Sequence, residues 1–354
     1  MINVPGAGVT PEKPIPDTLS QLTSGFERPL LVGAAVQYRV FDLLEQGPKT
    51  LDQVVSESGA SLRGLRAVMN ALIGLKLLRK DGAGRYALVP ETEAFLVRGK
   101  PQFLGDMFHD IQVKWRATAP ETGRWRMWLD INEVVFTGKP AAPVNVEQHG
   151  DKYFKGFVEA LFGPHYRAAR ALAEALRIAH QKKPVRVLDL AAGSGVWGIA
   201  LAQASPHVTV TAVDWPNVLD MTKTVVKRWN LLSRFQLVAG DLLSADFGER
   251  HDIAILGHIV HTEGATRSQA LLKRTFDALA PGGIIAIADF LVNEDRTGPS
   301  MALIWAVNML VQTEEGDTFS FGEISGWLYD VGFENARLLE NPGPSPVILA
   351  NKPE

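Results

Sequence analysis

The segment 185–198, VRVLDLAAGSGVWG, decides the fold of this chain. A mostly apolar run, VRVLDL, is followed at once by a G-x-G-x-x-G loop and a second apolar run. A buried strand that passes through glycines into a helix is typical of nucleotide-binding α/β domains, because glycines let the backbone approach a ligand closely. The sequence therefore predicts a strand over 185–190 and a ligand-binding loop directly after it.

More strand-like segments follow, and helical stretches separate them. These segments are 208–214, 235–241, 252–258 and 282–290. Apolar strands that alternate with helices predict a parallel sheet covered on both faces. Two last strand-like runs, 336–341 and 347–352, are joined by PGPSP, which is too short for a crossover helix. We therefore expect them to form an antiparallel hairpin.

The N-terminal part of the chain is predicted to be helical. Residues 29–45 are apolar at helical spacing over their whole length and predict one helix. That helix has too few polar positions for a free surface, so we expect it to be buried against a second copy of the chain in a homodimer. Thr50 and Gln53 predict a capping box for a second helix, which Gly59 ends, and Ser61 predicts the cap of a third.

A predicted hairpin follows these helices. Asp81 and Gly82 indicate a tight turn between strands over 77–80 and 85–89, which completes the element order of a winged helix. Residues 1–100 hold 12 basic and 10 acidic side chains, a balance too even for the concentrated basic face that phosphate binding needs. We therefore expect a dimerising winged helix and no nucleic-acid partner.

The composition narrows the class of protein. The 354 residues include 36 basic and 39 acidic side chains and no cysteine, which excludes disulfide scaffolds and cysteine-based sites. No apolar run approaches the roughly 20 residues of a membrane span, so we expect a soluble, cytoplasmic protein. Four segments are predicted: a flexible arm over 1–17, the winged-helix domain over 18–100, a helical layer lining an acceptor pocket over 101–180, and a cofactor-binding domain over 181–354.

Three acids at successive strand ends suggest which cofactor binds. The glycine loop with Asp214 at the end of the second strand also fits a dinucleotide, and a lone Asp after a strand is often a helix cap. Asp189, however, would repel a pyrophosphate and suits the ammonium and sulfonium end of S-adenosylmethionine. Asp241 is placed to accept a hydrogen bond from an adenine amino group, with Leu242 beside the ring. Together these residues favour S-adenosylmethionine.

The chain resembles the S-adenosylmethionine-dependent small-molecule O-methyltransferases of the caffeic acid and hydroxyindole type, in their bacterial natural-product branch. The matching motifs are VLDLAAGSG (187–195), AVDWP (212–216), AGDLL (239–243) and ALAPGGIIAIADF (278–290). The resemblance implies an α/β fold of the class I methyltransferase type, with a Rossmann-like, mostly parallel sheet and an N-terminal all-helical, winged-helix dimerisation domain. It also implies methyl transfer to a hydroxyl of a small aromatic or polyene metabolite.

The same resemblance implies the site residues. Residues expected to bind the cofactor are Asp189, Gly193, Gly195, Asp214, Trp215, Asp241, Leu242 and Gly257. Residues expected to bind the acceptor are Phe157, Phe162, Trp305, Asn308 and Met309. The resemblance also implies that His261 is the general base and that Asp289 steadies it. An imidazole with a pKa near ~6.5 suits this role, since it can accept the proton of a phenol during the transfer.

The chain departs from the family pattern at several of these positions. The usual His-Asp-Trp is His261-Thr262-Glu263 here, and the second acid that usually steadies the histidine maps to Thr318. Gly257 stands where the family usually has Lys or Arg near the adenine. These departures leave open C- or N-methylation, non-methylating chemistry, or, less favoured, a ligand-sensing winged-helix regulator. No metal is expected, because no carboxylate pair at ligand spacing accompanies the histidines.

Overall fold

A computed structural model describes most of the chain. The described residues are 22, 25–108, 124–140, 143–147, 150, 153–154, 158–159, 161–339 and 345–354, with the side chains of 124–126 left out. They fall into two compact units, Met1–Val113 and Lys114–Glu354. The predicted arm over 1–17 and the predicted acceptor residue Phe157 lie outside the described residues, and the segment boundaries at 100 and 180 stay predictions.

The first unit is a small helical domain with one hairpin. Its elements are α1 (Glu27–Gln37), α2 (Val40–Leu44), α3 (Leu51–Ser58), α4 (Leu62–Gly74), β1 (Leu78–Lys80), β2 (Tyr86–Leu88) and α5 (Pro90–Phe95). Thr50 and Gln53 form the predicted capping box of α3, and Gly59 ends that helix in a left-handed conformation. The Ser61 hydroxyl caps α4, and β1 and β2 pair antiparallel as predicted.

The single helix predicted over 29–45 is wrong. Arg39 adopts a left-handed φ of 58°, and the chain forms two helices, α1 and α2, around it. Because the chain changes direction at this break, Phe41 and Leu44 pack in the hydrophobic core of the same unit. Apolar spacing continues across the break, so periodicity alone does not reveal it. Much of the apolar surface that we expected to need a partner is therefore buried within one chain.

The second unit is built on a seven-stranded sheet. Its helices are α6 (Arg124–Leu129), α7 (Ile131–Thr137), α8 (Phe162–Ala175), α9 (Val196–Ala204), α10 (Pro216–Arg228), α11 (Val260–Ala278), α12 (Ser300–Gln312) and α13 (Phe321–Asp330). Its strands are β3 (Val185–Leu190), β4 (Val208–Asp214), β5 (Phe235–Ala239), β6 (His251–Gly257), β7 (Leu279–Ala288), β8 (Glu334–Leu339) and β9 (Val347–Asn351). All seven predicted strands are confirmed, with ends shifted by a few residues.

The strand order explains why these strands are so apolar. The order is β5-β4-β3-β6-β7-β9-β8, and strands β3 to β7 run parallel. Strand β9 lies antiparallel to both β7 and β8, which confirms the predicted terminal hairpin. Helices α8 and α9 pack on one face of the sheet, and α11 and α13 pack on the other. Both faces are buried, so the strands carry apolar side chains on both sides.

The buried carboxylate of Asp189 anchors the helix that follows the glycine loop to the end of β3. Gly193 and Gly195 have φ angles of 54° and 74°, a conformation that favours glycine. The Asp189 carboxylate, at the end of β3, accepts a hydrogen bond of 3.0 Å from the backbone N–H of Gly198 in α9. Strand, loop and helix are thereby tied together. Among the described residues, no helix is long and apolar enough to cross a membrane.

A second special glycine shapes the start of α11. Gly264 has φ 71° and ψ 177°, which interrupts the helix just after His261, Thr262 and Glu263. A Cβ atom at this position would collide with the carbonyl oxygen of Glu315. The first turn of α11 therefore takes its direction from a conformation that is essentially restricted to glycine.

Gly264→Ala should destabilise the fold by about 2 kcal/mol or more, because it adds backbone strain and a collision. For a unit of this size, that loss corresponds to a fall in Tm of roughly 4–8 °C. Differential scanning calorimetry measures it. The matched control is Gly326→Ala in α13, where a Cβ meets nothing within 4 Å. The control should leave Tm unchanged or raise it slightly, because Ala is the better helix former. Equal Tm values for the two variants would contradict the role of Gly264.

Candidate active site

A cleft of about 1300 Å³, partly open to solvent, lies at the carboxyl ends of the parallel strands. Ligands of α/β sheets bind at this edge. One part of its wall consists of the glycine loop and the ends of β4 and β5. The other part consists of the start of α11, Phe290 shortly after β7 and one face of α12.

The glycine loop and Asp214 meet in the first part of the wall. The Asp214 carboxylate accepts hydrogen bonds of 2.8 Å from the backbone N–H groups of Gly193 and Trp215. Asp214, Gly193 and Trp215 all line the cleft. A carboxylate beside exposed loop backbone suits a ribose diol, which donates hydrogen bonds.

An ion-pair network closes the end of the cleft near β5. The Arg267 guanidinium donates to Asp241 Oδ2 at 2.7 Å and to Glu263 Oε2 at 2.5 Å. Asp241, Leu242 and Glu263 line the cleft. Burial raises the pKa of the Glu263 carboxyl, and the Arg267 charge opposes that effect. Glu263 thus pairs with Arg267 rather than with the neighbouring histidine.

His261 and Asp289 form the pair in the second part of the wall. His261 Nδ1 lies 2.6 Å from Asp289 Oδ1, and the His261 backbone N–H donates to Asp289 Oδ2 at 3.1 Å. Because an ionised carboxylate only accepts hydrogen bonds, this contact assigns the ring proton to Nδ1 and leaves Nε2 as an acceptor. His261 lines the cleft and is 5% exposed. The imidazole is therefore held in one orientation and one tautomer.

No second acid supports this histidine among the side chains that the structure describes. The Thr318 hydroxyl donates to the carbonyl oxygen of Ala302 at 3.2 Å instead. Glu314 and Glu315 are exposed at the surface. Asp289 is therefore the only described side chain that is hydrogen-bonded to the His261 ring.

Among the described residues, four predicted site residues do not themselves line the cleft: Asp289, which lies behind His261, and Asp189, Gly195 and Phe162. Asp189 is fully buried beneath the glycine loop, where burial raises its pKa to about 7. Gly195 faces Thr222, whose Cγ2 would lie 3.2 Å from an added Cβ. Phe162 stacks on Tyr166 and Trp229 at ring-centroid distances of 5.3 and 5.6 Å. Asp189 and Gly195 thus shape the loop, and Phe162, at the start of α8, packs on Tyr166 and Trp229. Their direct contact with a ligand stays a prediction.

The predicted residues of α12 do line the cleft, namely Trp305, Asn308 and Met309. Trp305 meets His261 edge-on at 5.7 Å and packs on Phe290 at 4.6 Å. The Asn308 side-chain oxygen accepts from Trp128 Nε1 at 3.0 Å and from Gln312 Nε2 at 2.8 Å. These contacts fix the orientation of the Asn308 amide.

Sequence reasoning missed Trp197 as part of the wall. Trp197 occupies a variable position of the G-x-G-x-x-G motif, directly before the third glycine. The motif specifies only its glycines and so does not indicate this residue. Its indole, 3% exposed, occupies the space in which a Cβ at Gly257 would lie. The Lys or Arg that the family usually has at position 257 therefore does not fit here unless Trp197 moves. Gly257 itself lines the cleft as predicted.

Two more imidazoles lie beside His261. His165 and His258 line the cleft, with ring centroids 4.1 Å apart, and the His258 ring lies 6.2 Å from that of His261. Atoms of His258, His261 and Asp289 that could ligate a metal lie within 4.8 Å of one another. The direct hydrogen bond between His261 and Asp289 already uses one atom of each.

Comparison with known proteins agrees with this geometry. The family model of the O-methyltransferase domain matches residues 168–334, and that of the O-methyltransferase dimerisation domain matches residues 20–98. The chain is 28% identical to the tetracenomycin polyketide synthesis 8-O-methyl transferase TcmO of Streptomyces glaucescens, over 96% of this chain and 97% of that protein. It is also 28% identical to a 3-hydroxy-5-methyl-1-naphthoate 3-O-methyltransferase of Streptomyces sahachiroi, over 98% of both.

A solved structure shows the same fold. Human N-acetylserotonin methyltransferase in complex with S-adenosylmethionine superposes with a TM-score of 0.82 and is 23% identical, over 98% of this chain and all of that one. The two matched domains, the methyltransferase sheet order and the cleft lined by the glycine loop and strand-end acids agree with one another. The chain therefore belongs to the S-adenosylmethionine-dependent small-molecule O-methyltransferases, in the group that includes bacterial natural-product and hydroxyindole enzymes.

Proposed function

We propose that this enzyme methylates a hydroxyl group of a small aromatic or polyene metabolite, with His261 as the general base. The observation that carries the proposal is the bond between His261 and Asp289 at the cleft wall, 2.6 Å from Nδ1 to Oδ1. It directs the unprotonated Nε2 away from Asp289, as a proton acceptor requires. The cytoplasmic location predicted from the sequence belongs to the same proposal.

The wall near the glycine loop fits S-adenosylmethionine. We assign Asp214 to the ribose hydroxyls, Asp241 and Leu242 to the adenine, and Gly193 to the methionine portion; the support is that all four line this part of the cleft. S-adenosylmethionine, when bound, supplies a methyl group on a positively charged sulfur, which needs no metal to be reactive. The acids of this wall favour a cationic ligand, because opposite charges attract strongly in a partly buried site.

The chain's own part in the reaction is positioning and proton acceptance. Asp289 holds the His261 ring and stabilises the positive charge that forms when Nε2 takes the hydroxyl proton. Trp305 and Phe290 pack around this imidazole and limit the access of water to it. A reacting oxygen held beside Nε2 loses its proton as it attacks, which supports O-methylation.

The acceptor side of the wall suits a flat organic molecule. Tyr153, Phe154, Phe290, Trp305 and Met309 line it. Flat aromatic side chains bury large area against rings and polyenes. The names of the two Streptomyces relatives refer to a polyketide and a naphthoate, which supports an aromatic acceptor.

His261→Ala should lower the rate of methyl transfer about 10²–10⁴-fold, the usual contribution of a general base. Asp289→Asn should cause a smaller loss, since it only orients and polarises the ring. The measurement is single-turnover transfer from labelled S-adenosylmethionine to a hydroxylated aromatic acceptor found by screening. Calorimetry should show nearly unchanged cofactor affinity in both variants. Full activity of His261→Ala would reassign His261 to packing, and methylation at carbon or nitrogen would favour the alternative chemistry.

Asp214→Asn should weaken S-adenosylmethionine binding by about 10–100-fold, because hydrogen bonds to a charged group contribute most. The single oxygen of the amide can still accept from one of the two backbone N–H groups that the carboxylate serves, and an unchanged Tm checks that the fold is retained. The control is Asp246→Asn at an exposed turn outside the cleft, where the carboxylate accepts only from Gly248. Calorimetric titration compares the two variants, and equal affinities would remove Asp214 from the cofactor site.

The dimerisation domain supports assembly of two chains through the N-terminal helices. Multi-angle light scattering should therefore give twice the mass of one chain at micromolar concentration. A stable monomer under these conditions would refute the proposed homodimer.

A further inference from the structure

The mechanism does not use His165 and His258, although both lie in the wall beside the base. His165, on α8, is 6% exposed, and His258 lies at the end of β6. The Nδ1 atom of each ring is buried, and none of the residues that the structure describes gives it a hydrogen-bond partner. A buried polar atom without a partner destabilises the fold unless something else satisfies it.

The backbone at His258 is also unusual. Its φ is 61°, in the left-handed region that a residue other than glycine seldom adopts. The conformation is held because the His258 N–H donates to the carbonyl oxygen of Ala288 at 2.8 Å. Strained backbone that the surrounding structure enforces is concentrated at functional sites. Here the strain keeps the imidazole facing His165 rather than solvent.

Both rings stay uncharged at neutral pH. Burial, reinforced by the nearby His261, lowers the pKa of His165 to about 4. Burial and the two neighbouring histidines lower that of His258 well below its usual value. A neutral imidazole has one donor and one acceptor nitrogen, so the pair can bind a neutral oxygen but offers no positive charge to a carboxylate.

We propose that His165 and His258 bind a second oxygen of the acceptor, a neutral hydroxyl or carbonyl placed ortho or peri to the hydroxyl that is methylated. The inference rests on the proposed function and names its substrate class. "The histidine pair" below means His165 and His258.

The packing around the rings supports this placement. Phe290 contacts both His258 and His261, with ring centroids 5.1 and 5.7 Å away. A flat acceptor whose hydroxyl reaches His261 along this phenyl ring carries its next oxygen toward His258, 6.2 Å farther along the wall. The histidine pair is thus positioned to distinguish a diol or hydroxy-carbonyl compound from a compound with one oxygen.

The test uses two matched pairs of probes, 2,3-dihydroxynaphthalene with 2-naphthol and 1,8-dihydroxynaphthalene with 1-naphthol. Calorimetry with saturating S-adenosylhomocysteine should show at least one diol binding about tenfold more tightly than its naphthol, the effect of one or two hydrogen bonds. In His165→Phe this ratio should fall to near unity, and His165→Gln, which keeps hydrogen-bonding atoms, should restore part of it.

A matched control is available in His251→Phe. His251 is also buried with an unpartnered Nδ1, but it lies outside the cleft wall. This variant should keep the diol-to-naphthol ratio of the natural enzyme. Each variant is measured with the same two probes. The inherent difference in affinity between the probes therefore cancels when the diol-to-naphthol ratios of the variants are compared.

Several results would overturn the inference. They are an unchanged ratio in His165→Phe, no binding of either diol, or a loss of S-adenosylmethionine affinity in His165→Phe, which would move the histidine pair to the cofactor. The proposed function is tested separately by adding S-adenosylmethionine to the bound diol. A diol that binds by way of the histidine pair but is never methylated would contradict the proposed function, and it would leave the histidine pair as a binding site for two-oxygen ligands that are not methyl acceptors.

Discussion

The pairing of β6 between β3 and β7 is the constraint on which the site depends. Leu256 lies opposite Leu190 on one side and Ile287 on the other, so the three strands end at the same level. The glycine loop leaves β3, the histidine segment leaves β6, and Asp289 follows β7 directly. Three groups that are far apart in sequence thus meet without any long loop. A shift of one residue in either register would reverse the side of the sheet to which the strand-end side chains point.

An ion-pair network forms the end of the cleft near β5. Arg267 bridges Asp241 on one segment and Glu263 on another, so a single guanidinium holds two acids of the wall. Charge-assisted bonds of this kind fix geometry as well as contributing energy. The replacement of the usual His-Asp-Trp by His-Thr-Glu is therefore part of a connected local arrangement, in which Glu263 bonds to Arg267 and Asp289 bonds to His261.

The sheet could be predicted from the sequence because local signals determine it. The pair of His261 and Asp289 was predicted from the resemblance to the family. Apolar runs mark strands that are buried on both faces, and PGPSP is too short for a crossover. Side-chain direction was harder to predict: Asp189 and Phe162 have the expected residue types but point away from the cleft. The break at Arg39 is invisible to periodicity. Trp197 could not be assigned because its contact with Gly257 joins residues far apart in sequence, and only tertiary packing reveals it.

The contact between Trp197 and Gly257 has an evolutionary consequence. Any larger residue at 257 meets the indole, and a smaller residue at 197 alone leaves a void in the wall. Core voids and collisions both cost stability, and residues in contact have non-additive effects. Each single step toward a lysine at 257 is therefore unfavourable. We expect positions 197 and 257 to tolerate such a substitution only when both change together.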